Sequence, residues 1–124
     1  MKKFLIIGAL VLIGVAGLYF TVFSGESRDM KLLVFSKTEG FRHQSIEAGI
    51  EAVRKLGAKH GFTIEATEDP AVFREDYLKN ISAVIFLNTT GDILDQNQQV
   101  AMERYMQAGG GFVGIHSAAD TEYA

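Results

Sequence analysis

The chain contains no cysteine. That excludes a thiol nucleophile, a disulfide scaffold, Cys-ligated zinc and a lipid-modified cysteine, and it leaves the redox compartment open. Nor is positive charge in excess. Twelve Lys and Arg stand against fifteen Asp and Glu, and without Lys2 and Lys3 the count is ten against fifteen, a formal −5 for the remainder. Such a balance disfavours binding to a phosphate backbone, so no nucleic-acid partner is expected. Internal repeats and low-complexity tracts are also missing. At 124 residues, with 48% hydrophobic and 22% charged residues, the chain has room for one globular domain and too much apolar content for disorder.

What is present begins with a membrane signal. Lys2 and Lys3 precede an uncharged apolar run from Phe4 to Phe23, about 20 residues or ~30 Å as a helix, enough to span a bilayer. A secretory signal usually has a shorter apolar core, about 7–15 residues, before a small-residue cleavage site. The length of the run, with Tyr19, Phe20 and Phe23 near its outer end, favours a transmembrane anchor over residues 1–24. A signal peptide cleaved near Val22-Phe23-Ser24 is the alternative. By the positive-inside rule both place the domain outside the cytoplasm, periplasmic or extracellular, and the protein meets the membrane through this N-terminal hydrophobic helix. Residues 25–30 read as a linker, and the domain begins at Lys31.

From Lys31 the pattern alternates strand and helix. Residues 31–36 (KLLVFS) are a compact apolar run, as in a strand covered on both faces of a parallel sheet. Ser45 is a plausible N-cap for a helix carrying Ile46, Ile50, Val53 and Leu56 at helical spacing, with Gly61 at its stop and His60 near its C-terminal dipole. Residues 62–67 (FTIEAT) alternate like an outer strand, Asp69-Pro70 breaks them, and a short helix passes through Phe73, Tyr77 and Leu78. Residues 82–88 (SAVIFLN) form another central strand. Asp95 with Gln98 makes a capping box for a helix whose face carries Ala101, Met102, Tyr105, Met106 and Ala108, and Gly109 ends it. Residues 111–116 are the fourth strand. The expected fold is α/β, a doubly wound, mostly parallel sheet of the flavodoxin-like kind, with strand order 2-1-3-4. Four strands ending near Tyr123 and Ala124 leave the last one as an open apolar edge, so the domain is expected to be partial, an N-terminal fragment.

In such a sheet ligands bind at the carboxyl ends of the strands beside the topological switch point. Three polar clusters fall there: residues 37–45, 88–92 and 116–120. The last follows a strand into a sharp turn, where related folds present a Ser or Cys nucleophile; here the position holds His116. An imidazole at His43 or His116 can serve as general acid, general base or metal ligand. The bland alternatives are a helix-capping role for His43 and a hydrogen-bonded core histidine at His116. Asp120 can orient an imidazolium or cap a helix, and Ser117 can hydrogen-bond a substrate. Asn88, Thr89, Thr90 and Asp92 offer amide, hydroxyl and carboxylate groups suited to a polyhydroxylated ligand, or to the backbone of their own turn. The two histidines and two aspartates give a weak signal for a divalent metal, their spacing being scattered, and no cofactor is specified. A phosphate-binding FMN loop at residues 36–40 is opposed by the charge of Glu39.

Taken together, VFSKTEGFRHQSI, FLNTTGD and GGGFVGIHSAAD, in this order and spacing from Lys31 to Ala124, resemble the ThuA-like (trehalose utilisation) family, whose fold is similar to class I glutamine amidotransferases. The resemblance implies a pocket lined by His43, Asn88, Asp92, His116, Ser117 and Asp120, and chemistry on trehalose-like or keto glycosides. The glutamine amidotransferase parallel stops at the fold, since His116 stands where the nucleophilic cysteine would be. The expected assignment is a catalytic set of His43 and His116, as acid/base or metal-supporting groups, with Asp120 orienting an imidazole, and sugar contacts from Thr38, Asn88, Thr89, Thr90, Asp92 and Ser117. A non-catalytic carbohydrate-binding or interaction domain at the cell surface is the alternative.

Overall fold

Apolar five-residue runs at residues 31–35 and 83–87 leave those two strands two faces to bury, and the chain covers both. In the computed structural model, which describes residues 29–122, the elements are β1 (Lys31–Phe35), α1 (Ile46–His60), β2 (Thr63–Thr67), a 3-10 turn (Pro70–Val72), α2 (Glu75–Leu78), β3 (Ala83–Leu87), α3 (Gln96–Gln107), β4 (Gly111–Ile115) and a second 3-10 turn (His116–Ala119). All three strand pairings are parallel and the order is β2-β1-β3-β4, as the alternation of elements predicts. The N-terminal anchor or signal and residues 25–28 of the linker lie outside the described residues. Among the described residues no helix is long and apolar enough to cross a membrane.

Side chains alternate across β1. Leu33 and Phe35 point to one face, where Val84, Phe86, Phe73, Leu78, Ile93 and Tyr105 complete a cluster beneath α2 and α3. Val34 points to the other, with Ile85 and Leu87, under Ile50 and Val53 of α1. Leu33, Val34 and Phe35 are fully buried, and each such side chain contributes about 1.5–3 kcal/mol of apolar burial. Phe35, Phe73 and Phe86 meet edge-on or tilted, with ring centroids 4.7–5.8 Å apart, the spacing that aromatic quadrupoles favour.

Two helix faces differ from the sequence pattern. Leu56, expected to face inward, is half exposed, while Gly57 is buried. The chain returns tightly from α1 into β2, so close that a Cβ on Gly57 would lie 2.7 Å from the Phe62 carbonyl oxygen; this approach rotates Leu56 outward. Gly61 ends α1 in the left-handed conformation, φ 75°, with its N–H donating to the Gly57 carbonyl, as a helix-stop glycine should. In α3 the capping box of Asp95 and Gln98 is formed in both directions, and Ala101 and Tyr105 are buried. Met106 and Ala108, expected on the inward face, are exposed: Met106 lies over the uncovered side of β4 beside Phe112, and Ala108 lies at the helix end beside Leu78 and Lys79. The expected open edge is there: Phe112 and Val113, on opposite faces of β4, are 43% and 46% exposed.

Candidate active site at the strand ends

Pairing between β1, β3 and β4 does not stop with the strands. Parallel bridges link Thr38 to Thr90 and Gly91 to Thr121, and Glu39 N–H donates to the Thr90 carbonyl at 2.9 Å while Gly91 N–H donates to the Asp120 carbonyl at 2.8 Å. The three polar clusters are therefore laced into one surface at the carboxyl ends of the strands. Gly91 makes this possible: its φ is 80°, and a Cβ there would meet the Glu39 Cβ at 3.1 Å.

Asn88 and His116 each stand one residue beyond neighbouring strands, β3 and β4, and both have φ 53°. Left-handed backbone at a non-glycine residue is uncommon, and such residues gather at functional sites. Asn88 is buried and held twice, its N–H donating to the Ile115 carbonyl at 3.2 Å and its side-chain amide to Ser45 Oγ at 2.8 Å. Ser45 does precede α1 as expected, but its side chain makes no capping bond; the hydroxyl serves Asn88 instead. That bond pins the start of α1, and with it the loop bearing His43, against the end of β3.

The histidines converge. The His43 and His116 ring centroids are 4.5 Å apart with their planes at 49°, and the Phe41 ring meets the other side of His43 edge-on at 4.9 Å. His43 is half-buried and His116 exposed, so the pair sits at the surface within reach of a ligand. Arg42, beside His43, holds the same loop from outside, its two guanidinium nitrogens donating to Glu68 at 2.6 Å and Glu47 at 2.8 Å. The two carboxylates raise the Arg42 pKa above its ordinary value, and the Glu47 carboxyl is held below its own by its backbone N–H and then by Arg42.

Other expected contributors have different roles. The Thr89 hydroxyl is buried against that of Thr121 at 2.8 Å, and the Thr90 hydroxyl donates to the Phe41 carbonyl and accepts from Gly40 N–H, both at 3.2 Å. These two threonines tie the loops together in this structure, and Thr38 joins them through its backbone. The Asp120 carboxylate makes no hydrogen bond or ion pair with either imidazole among the described residues; its backbone closes the 3-10 turn and receives Gly91. Asp92 and Asp120 are exposed, and the Ser117 hydroxyl is buried without a partner among the described residues. No three His, Asp or Glu side chains among the described residues are grouped to hold a metal ion.

Glu122 is an addition that sequence reasoning misses. Its φ is 56°, and one carboxylate oxygen accepts from Ile93 N–H at 2.7 Å and Leu94 N–H at 2.8 Å, while the other accepts from the Gln99 side chain. It clamps the β4 exit to the approach of α3. With Leu94 and Glu122 separated by 28 positions in sequence, nothing local signals it.

The family model described as trehalose utilisation, ThuA, matches residues 31–124. The chain belongs to the ThuA family. A crystal structure of a protein from Bacteroides uniformis, described as ThuA-like, superposes on it with a TM-score of 0.62 and 28% sequence identity, over 78% of this chain and 39% of the other. The chain thus spans well under half the length of that relative. No curated protein matches it. In this ThuA domain a cleft of about 710 Å³ beside Ser82 and Gly110 lies at the opposite, amino-terminal end of the sheet, and another of about 560 Å³ lies between α2 and α3, both away from the paired imidazoles.

Proposed function

We propose that this ThuA domain acts on a carbohydrate, a trehalose-like or keto glycoside, with His43 and His116 as its acid/base pair. The observation that carries the reading is the approach of the two imidazole rings to 4.5 Å on a surface formed by three strand ends, one of them on a left-handed turn. Side-by-side imidazoles suit proton transfer at two neighbouring atoms of one substrate. Beside a carbonyl, a neutral imidazole takes the proton of the adjacent C–H while a protonated one donates to the carbonyl oxygen, giving an enol without net charge change. Asp92 and Asp120, both exposed, remain to contact sugar hydroxyls. Lys2 and Lys3 before the apolar run of residues 4–23 support export with the domain held at the outer membrane surface.

The test is incubation of the full-length protein with trehalose and with its keto derivatives, followed by mass spectrometry of the products. Turnover that His116→Ala abolishes supports the proposal. Calorimetric binding of the sugar with no product from any of them replaces it with the non-catalytic binding domain.

A further inference from the structure

A second place in the molecule has the makings of a ligand site, on the far side of β1 from the histidines. Between the first turns of α1 and the end of β2 lies a cleft of about 380 Å³, lined by Ser36, Glu47, Ile50, Arg54, Ala66 and Glu68 among others. Ligand pockets run from about 300 to 1,000 Å³, so this one is of monosaccharide size. Ser36 lines it, 1% exposed, and its hydroxyl has no hydrogen-bond partner among the described residues. A buried hydroxyl left unsatisfied is costly, and an incoming donor or acceptor recovers that cost.

The lining chemistry narrows the class. Glu47 and Glu68 carry two negative charges, Arg42 pairs with both, and Arg54 lines the same cleft, so the formal charges cancel. A cation or an anion would meet no net attraction. Arg42 takes one oxygen of each glutamate, which leaves the second oxygen of Glu68 to accept from a hydroxyl group. Arg54 can donate, Ser36 can do either, and Ile50 with Ala66 offers an apolar surface for C–H groups. We infer that this cleft binds a neutral polyhydroxylated molecule of monosaccharide size, or one ring of a disaccharide. The inference does not rest on catalysis by the histidines, because the cleft shares no lining residue with them.

The experiment is a titration of isotope-labelled full-length protein, followed by backbone amide NMR shifts, with glucose and trehalose, and in parallel with sodium sulfate and guanidinium chloride. Saturable shifts at Ser36, Arg54 and Thr67 with the neutral sugars are expected. Ser36→Ala should weaken binding by about 3–10-fold, the worth of one hydrogen bond, and Arg54→Met, at an exposed helix position that does not endanger folding, should weaken it similarly. His116→Ala should leave these shifts unchanged even where it abolishes turnover, which separates this inference from the proposed reaction. Shifts with sulfate or guanidinium alone, shifts confined to His43 and His116, no saturable shift at Ser36, Arg54 and Thr67, or full binding by Arg54→Met would each overturn it.

Discussion

His116 gives the sharpest prediction, because its backbone and its side chain make separable demands. The side chain is exposed and φ is 53°. An L-residue in the left-handed region costs about 1–2 kcal/mol; glycine avoids that cost but has more freedom to lose from the unfolded chain, about 0.4–1 kcal/mol. Replacing His116 by Ala or by Gly removes the imidazole in both cases, so the lost contact with His43 cancels in the comparison. His116→Gly should therefore be more stable than His116→Ala by about 1 kcal/mol, or roughly 4–8 °C in Tm for a domain of this size. Urea unfolding followed by circular dichroism, with equal slopes required of both variants, measures the difference. If the alanine variant equals or exceeds the glycine variant, the turn is not left-handed in solution, and the argument that it is built to present the imidazole fails.

Leu33→Ala, at a fully buried position under α2 and α3, should cost about 2–5 kcal/mol in the same unfolding assay; a cost below 1 kcal/mol would contradict the packing described. Arg42→Ala should cost no more than about 1 kcal/mol, because its ion pairs are exposed, and added salt should shrink the difference. Burial and then the neighbouring Glu65 carboxylate push the Tyr77 hydroxyl up to about 12 from 10.0. Its neutral form is thus favoured by folding, so the stability it contributes is complete below pH 10 and is lost as pH rises toward 12. Alkaline unfolding of Tyr77→Phe should lose that component, and an unchanged profile would refute it. At the acid end, Glu47 and Glu65 are held below the ordinary glutamate value of 4.5, Glu65 by Lys31 first. Their contribution is present above that value and disappears as pH falls through their folded-state values, which an acid titration of Tm for Glu65→Gln against the parent chain checks.

Much of this architecture is legible in the residues. KLLVF and AVIFL are too uniformly apolar for one-sided strands, and they occupy the two central positions, β1 and β3. Asp95 and Gln98 announce the start of α3 because capping is local chemistry. Ser45 shows where local chemistry stops: it belongs to the capping class, yet its hydroxyl is taken by Asn88, 43 residues away. Thr89 and Thr90 carry hydroxyls that suit a sugar, but whether those face a ligand or another loop depends on Thr121 and Phe41, which tertiary folding brings beside them. The helix period placed Leu56 inside, whereas the tight return through Gly57 into β2 turned it out. For the site, sequence located the three clusters through topology and singled out His43 and His116. The left-handed backbone at Asn88 and His116, and the clamp by Glu122, belong to geometry that no residue pattern encodes.

The central claim is that His43 and His116 act as one unit on a carbohydrate. A double-mutant cycle on kcat/KM, with His43→Asn, His116→Asn and the double variant of the full-length protein acting on the substrate found by product analysis, tests it most directly. Each single substitution should lower kcat/KM by about 10²–10⁴-fold, the range of general acid/base catalysis, and the double variant should be scarcely worse than either. Single variants that retain parental turnover, or losses that simply multiply in the double variant, would contradict it.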